Sequence, residues 1–294
     1  MKVNKSYIFI GLLAIILFVI IIFKYINTYT LPKIAWLYWE SEDKPDLIKN
    51  IELYNSSKLE GWTINYLNKD TVYNFIKKED FPKNYESLYV AHKADWIRLK
   101  LLSLYGGCWI DASIIINHKF ALDKLYNESV KKRSQLTVFS WKNNESDNKS
   151  KISKLSLYIE NWFIMAPKNS TIVYYWLNEY EKAVNVTFRV YKPTLYNQGV
   201  NLSKIFDTTN DDDNYLTQHA CLQKVLQKQF FINPPMIINE AEKDMFKLHT
   251  DCDWSTECIM NSFNNEPNKI KQIPYIKLTG QQRTTNIDIS KYFK

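Results

Sequence analysis

Glycine is scarce in this chain: 294 residues hold six, beside nine prolines and four cysteines. Each shortage excludes something. No G-x-G-x-x-G turn occurs, so the dinucleotide-binding fingerprint is absent. Walker A loops, G-x-S-x-G elbows and H-E-x-x-H helices are missing too, which removes the usual signals of nucleoside triphosphatases, serine hydrolases and zinc proteases. The cysteines, Cys108, Cys221, Cys252 and Cys258, form no C-x-x-C pair and no zinc spacing. Cys252 and Cys258 are near enough for a small-loop disulfide, and four unrelated thiols are the equal alternative. Runs of like charge are also lacking. The net charge of +7 comes from bases interleaved with acids, without the dense block of a nucleic-acid arm. Nucleic acid is therefore not an expected partner; anionic ligands or membrane surfaces are mildly favoured.

What remains is a globular composition, 46% hydrophobic and 23% charged, ample for a large core. The skew towards Asn, Ile, Lys and Tyr reads as coding bias. One feature precedes the globular part: "YIFIGLLAIILFVIIIF", Tyr7 to Phe23, an uncharged apolar run of 17 residues flanked by Lys2, Lys5 and Lys24. A helix rising about 1.5 Å per residue just spans a bilayer core over that length. No small-residue cleavage site follows it, and the run is apolar on every face, so it reads as an anchor rather than a signal peptide or core helix. The reading is a tail over 1–6, a transmembrane anchor over 7–24, a stem over 25–31 and one domain over 32–294. The slight excess of positive charge before the run favours the N-terminus in the cytoplasm and the domain in a Golgi- or ER-like lumen; in a bacterial source the domain is expected to face the cytoplasm instead. Sequons such as Asn55, Asn127 and Asn201 are compatible with that side.

Beyond the stem, strands and helices alternate. "KIAWLYW" (Lys33 to Trp39) and "GWTINYLN" (Gly61 to Asn68) read as buried strands, with Asp70 capping a helix behind the second. "NWFIMAP" reads as extended and "STIVYYWLNEYEKAV" as helical, and Ser140 to Ser153 as a loop. The fold class is α/β with a mostly parallel sheet flanked by helices.

The most informative stretch is "LYVAHKADWIRLKLLSLYGGCWIDASI", Leu88 to Ile114. Ala94, Ile97, Leu101 and Leu104 recur at helical spacing and face the core, while Asp95 and Arg98, three apart, share a neighbouring face. Gly106 and Gly107 then end the helix, as a left-handed cap would favour. The alternation of a following strand sends Trp109, Asp111, Ser113 and Ile115 to one side and Cys108, Ile110, Ala112 and Ile114 to the other. A carboxylate on so greasy an element needs a partner, and ligands of open α/β sheets sit beyond the strands' carboxyl ends. Arg98 is a suitable anion clamp. Equally open at this point is a bland reading, with Asp111 capping the strand and Asp95–Arg98 a surface pair. "NDDDNYLTQH" divides likewise: Asp211 to Asp213 cap a helix or join His219 at a metal, and His219 is a satisfied core residue or lines a site.

The same stretch resembles the signature of DXD-type sugar transferases of glycosyltransferase family 32, closest to their capsular polysaccharide synthesis branch. There the segment reads S-D-x-x-R, then Y-G-G-x-W-x-D-A-T/S. "LPKIAWLYWE" is similar to the branch's first strand, and "ENWFIMAPKNS", "NPPMIINEAE" and "IKLTG" follow in order, so the resemblance covers nearly all of Leu31 to Gly280. It implies a GT-A-like fold and a retaining, nucleotide-sugar-dependent hexosyltransferase acting on a glycan or polysaccharide acceptor. By position, Trp39 packs beside the nucleobase. Asp95 and Arg98 hold hydroxyls and the diphosphate. Trp109 and Asn161 line the sugar pocket. Asp111 is the first acid of the motif, near the ribose and, through water, a Mn²⁺ or Mg²⁺ ion. The second acid, the usual metal ligand, is Ser113 here. Either Asp111 with substrate phosphates holds the metal, or Arg98 and Lys277 of "IKLTG" take over its charge. The competing expectation is an inactive, membrane-anchored carbohydrate-binding protein on the same fold.

Overall fold

A computed structural model describes residue 16 and residues 29–141, 157–205, 215–230, 234–285 and 287–292. The chain alternates as expected: β1 (Ile34–Tyr38), α1 (Asp46–Lys58), β2 (Thr63–Leu67), α2 (Val90–Tyr105), β3 (Gly107–Ile110), β4 (Ile114–Ile116), α3 (Lys119–Lys132), β5 (Leu136–Ser140), β6 (Phe163–Ala166), α4 (Thr171–Val186), α5 (Phe188–Asn197), α6 (Thr217–Lys228), β7 (Met236–Glu240), α7 (Lys247–Asp251), α8 (Thr256–Asn265), α9 (Pro267–Gln272) and β8 (Tyr275–Lys277). The main sheet runs β2-β1-β3-β6-β5-β7. β1 lies parallel to β2 and β3, and β5 parallel to β7, while β6 runs against both its neighbours. The sheet is α/β in kind and mostly parallel, with one reversed strand inside it.

Period-2 alternation sorts side chains to the two faces. Trp36, Trp109 and Ile164 join the core beneath α2, α4 and α6, with Trp96, Leu99, Trp176 and Leu222. Ala35, Cys108, Ile110, Phe163 and Met165 point the other way, towards Leu122 and Leu125 of α3. A third core, around Ile48, Ile115, Phe263 and Ile276, lies under a small sheet of β4 antiparallel to β8.

The single strand expected through "CWIDASIII" is corrected here. β3 ends at Ile110, and Ile114 N donates to Asp111 O at 2.9 Å, closing a turn. The chain then leaves the main sheet and enters the small one as β4. Asp111 and Ser113 share a site because of this turn, not through strand alternation. Asp70 is corrected too: it bonds no helix end by its side chain, and the Asn68 Oδ1 accepts from the Asp70 and Thr71 amides above a short 3₁₀ turn. Ser140 belongs to β5, so the loop expected from it starts later; residues 142–156 lie outside the described ones. So do the expected anchor over 7–24, Ile16 apart, and Asp211 to Asp213. Among the described residues, no helix is long and apolar enough to cross a membrane.

The glycine pair serves close approach as well as helix termination. Gly106 has φ 72° and ψ −163°, which is not the left-handed helical cap expected, and Gly107 has φ 101°. A Cβ on Gly106 would lie 2.4 Å from the Lys168 amide nitrogen, and one on Gly107 would lie 2.5 Å from the Ile34 carbonyl oxygen. Side chains at these dihedrals are strained in any case. Gly107→Ala should therefore lose about 3 kcal/mol of stability or more from strain and overpacking. Urea denaturation measures it, and a loss below about 1 kcal/mol would show that β1 yields.

Candidate functional site

The parallel strands β1 and β3 end at the same edge as β5, and β6 starts there. Beyond that edge lies a cavity of about 680 Å³. This is where an open α/β sheet takes ligands. All eight residues singled out from the sequence line it: Trp39, Asp95, Arg98, Trp109, Asp111, Ser113, Asn161 and Lys277.

Asp111 is placed by backbone as much as by side chain, its amide donating to Trp162 O at 2.9 Å just before β6. Its Oδ1 accepts from Trp109 Nε1 at 3.0 Å and faces Arg98 Nη2 at 3.4 Å. Its Oδ2 accepts from Lys277 Nζ at 3.1 Å. Burial acts to raise the Asp111 pKa, but Lys277 and Arg98 outweigh it and hold the carboxyl below its ordinary value. Lys277 also donates to Ser113 Oγ at 2.7 Å, and that hydroxyl donates onward to Leu278 O at 3.1 Å. Burial lowers the lysine's pKa against the pull of Asp111. Two of the three ammonium donors are thus engaged, and one remains for a ligand.

Arg98 anchors a second network. It pairs with Asp95 at 2.8 Å, one turn back on α2, and donates to Gln218 Oε1 at 3.1 Å. Asn161 Nδ2 donates to Asp95 Oδ1 at 3.1 Å and to Gln218 Oε1 at 2.7 Å, and Gln218 Nε2 returns a bond to Asp95 O at 2.6 Å. The guanidinium carbon lies 5.0 Å from the Trp109 ring centre, a cation–π contact. Asp95 and Arg98 are 4% and 5% exposed, which rules out a surface ion pair. Burial pushes Asp95 up to about 6 even against Arg98.

Gln218 and Glu160 were not anticipated. Gln218 is a fully buried amide in the first turn of α6, between Thr217 and His219, and no sequence signal marked it. Glu160 lines the cavity, accepts from Trp141 Nε1 and is pushed up to about 7 by burial. His219 is 4% exposed and lines the cavity, but it is not the satisfied core residue of the first reading. Neither ring nitrogen has a hydrogen-bond partner among the described residues, and burial and then Arg98 push its pKa down to about 3, so the ring is neutral. Cys252 and Cys258 are joined in a disulfide, while Cys108 and Cys221 are buried thiols.

Glu160 gives the fold a pH dependence. Its folded pKa stands above the ordinary 4.5, so the folded state takes up the proton first. On this group alone, stability rises as pH falls from about 8 to about 5. Glu160→Gln should flatten that stretch of a melting-temperature-versus-pH curve, and an unchanged slope would place the titration elsewhere.

The capsular polysaccharide synthesis protein family matches residues 22–265. O-glycosyltransferase PaGT of Phomopsis amygdali is 32% identical over 98 residues, 29% of this chain and 24% of that protein, so the chain spans about a quarter of its relative's length. Among solved structures, a glycosyltransferase involved in glycosylation of the major capsid of PBCV-1 superposes with a TM-score of 0.43 and 12% identity, covering 86% of this chain and 97% of that one. PaToxG Glycosyltransferase gives 0.39 and 12%, covering 67% and 87%. With the family's match running over most of its length, this chain belongs to the capsular polysaccharide synthesis protein family.

Proposed function

We propose that the protein transfers a hexose from a nucleoside-diphosphate sugar to a glycan or polysaccharide acceptor, with retention of configuration. The observation that carries this reading is Asp111, gripped on its two oxygens by Arg98 and Lys277 at the mouth of a cavity walled by Trp39 and Trp109. In this reading Trp39 stacks the nucleobase. Asp111 and Asp95 accept from ribose or sugar hydroxyls, and Asn161 and Trp109 bound the donor sugar. The difficult charge is that of the departing diphosphate. Donors fixed in advance in a buried site stabilise such charge most effectively. Arg98 and the remaining N–H of Lys277 supply them.

The donor set does not suit a directly bound divalent cation at Ser113. That hydroxyl already receives Lys277, and both Asp111 oxygens are engaged. A metal would have to reach Asp111 through water, alongside substrate phosphates. The Lys277 ammonium, bonded to Ser113 and Asp111, supplies positive charge at this point of the cavity. The apolar run over 7–24 supports attachment to a membrane, with the N-terminus cytoplasmic and the domain lumenal.

The test is nucleotide release. Full-length protein in detergent is incubated with a panel of nucleoside-diphosphate hexoses, with Mn²⁺ or with a chelator. At least one donor should yield free nucleoside diphosphate under both conditions. Tight donor binding without release from any donor would overturn the transferase reading in favour of a carbohydrate-binding protein. Release only with Mn²⁺ would overturn the role given to Lys277.

A further inference from the structure

The cavity's wall continues outward into a ledge of aromatic rings. Phe246 is buried and lines the cavity. Trp141, just past β5, lies 5.2 Å from it with the planes only 22° apart. Trp254 completes the triangle, 5.3 Å from each. The ledge thus leads from the cavity to a tryptophan that is 42% exposed.

Trp254 is held there at some cost. It follows α7 in the loop that the Cys252–Cys258 disulfide closes, and its amide donates to His249 O at 2.8 Å. Asp253 and Trp254 have φ of 47° and 62°, a conformation that favours glycine or asparagine. A non-glycine residue there costs about 1–3 kcal/mol, which the ring contacts of Trp254 offset in part. The His249 ring, 5.0 Å behind the indole and fixed by Gln282, keeps it from collapsing inward. At the inner end stands Glu160, which accepts from Trp141 and lines the cavity.

Three aromatic rings, tilted by 22° to 55° from one another and ending at a carboxyl group, suit a sugar ring. One face of a pyranose carries only C–H groups, whose positive edge meets the negative face of an indole. Its rim carries hydroxyls that need polar partners. The neighbouring Asp251, Asp253 and Glu257 are exposed acids, which disfavours an anionic lipid surface and a broad apolar partner.

We propose that Trp254 and Trp141 form an acceptor subsite that stacks a pyranose ring, with Glu160 bonding one of its hydroxyls. The name acceptor rests on the transferase reading, in which the donor fills the cavity; the sugar-binding itself does not.

Full-length protein is titrated with maltotriose, cellotriose, mannotriose and galactotriose, followed by calorimetry and tryptophan fluorescence. At least one should bind. Trp254→Ala should weaken that binding about tenfold or more, and Trp254→Tyr, which keeps a flat ring, should stay within about threefold. Titration with free UDP and GDP, and the melting temperature, check that the cavity and fold survive in both variants. The proposal is overturned if Trp254→Ala binds every sugar as well as the parent, if no sugar binds the parent, or if tyrosine fails as alanine does. Equally fatal would be a Trp254→Ala effect confined to phosphatidylcholine–phosphatidylglycerol vesicles. Sugar binding that depends on Trp254 in a protein releasing no nucleotide would sink the transferase reading and leave the ledge standing.

Discussion

An Arg98→Met protein is expected to melt about 10 °C lower than its parent and to lose about a thousandfold in turnover. Arg98 is the only cation paired with Asp95 among the described residues, and both side chains are 6% exposed. Removing the guanidinium leaves that carboxylate with only neutral side-chain donors, Asn161 and Tyr180. Orphaning one half of a buried pair costs about 3–5 kcal/mol, and in a domain of this size each kcal/mol moves the midpoint by about 2–4 °C. Asp111 suffers less, since Lys277 and Trp109 remain. Adding Asp95→Asn removes the stranded charge and should recover several degrees without restoring turnover, because the clamp on the diphosphate stays absent. A single variant melting within about 2 °C of the parent, or a double variant no more stable than the single, would overturn this account of the buried pair.

Lys277→Met should separate catalysis from folding more cleanly. Methionine is one atom shorter than lysine, unbranched and apolar, and suits a site that is 7% exposed. Asp111 keeps Arg98 and Trp109, and Ser113 keeps Leu278 O. The stability loss should stay near about 1–2 kcal/mol, as for a satisfied network losing one member. Turnover, by contrast, should fall about 100- to 1,000-fold, the cost of removing one preorganised donor from developing charge. Lys277 is the largest of the influences that lower Asp111's pKa, ahead of Arg98 and Trp109, so the acid limb of the remaining activity should move to higher pH. A kcat within about fivefold of the parent would show that the lysine is structural.

How much of this was legible from the residues varies by element. β1 was readable as a continuous apolar run and α4 by its helical period, while β2 at the sheet's edge is only partly buried. The pairing of Asp95 with Arg98 was readable as a spacing, but its burial was not: neither residue type reports its own depth. Trp109, Asp111 and Ser113 were gathered for a wrong reason. Alternation along one strand predicted a shared side, whereas a turn at Asp111 and the arrival of β8 brought them together. Gln218 carries no recognisable motif, since a lone glutamine on a helix is ordinary until the third dimension shows three partners around it. Glu160 stood within the quoted "ENWFIMAPKNS", yet its value depends on Trp141 across a stretch of chain that no local pattern spans. The reversal of β6 inside a parallel sheet is likewise a matter of topology, invisible to period.

The small sheet has a practical bearing on how the protein should be trimmed. The family's matched range ends at residue 265, yet the strand that covers β4 comes afterwards, at Tyr275–Lys277. A fragment cut at the family boundary would discard Lys277 and bare the Ile114–Ile116 backbone, an invitation to stick to another copy. Such a fragment would keep an unpaired strand edge and lack the lysine that lines the cavity.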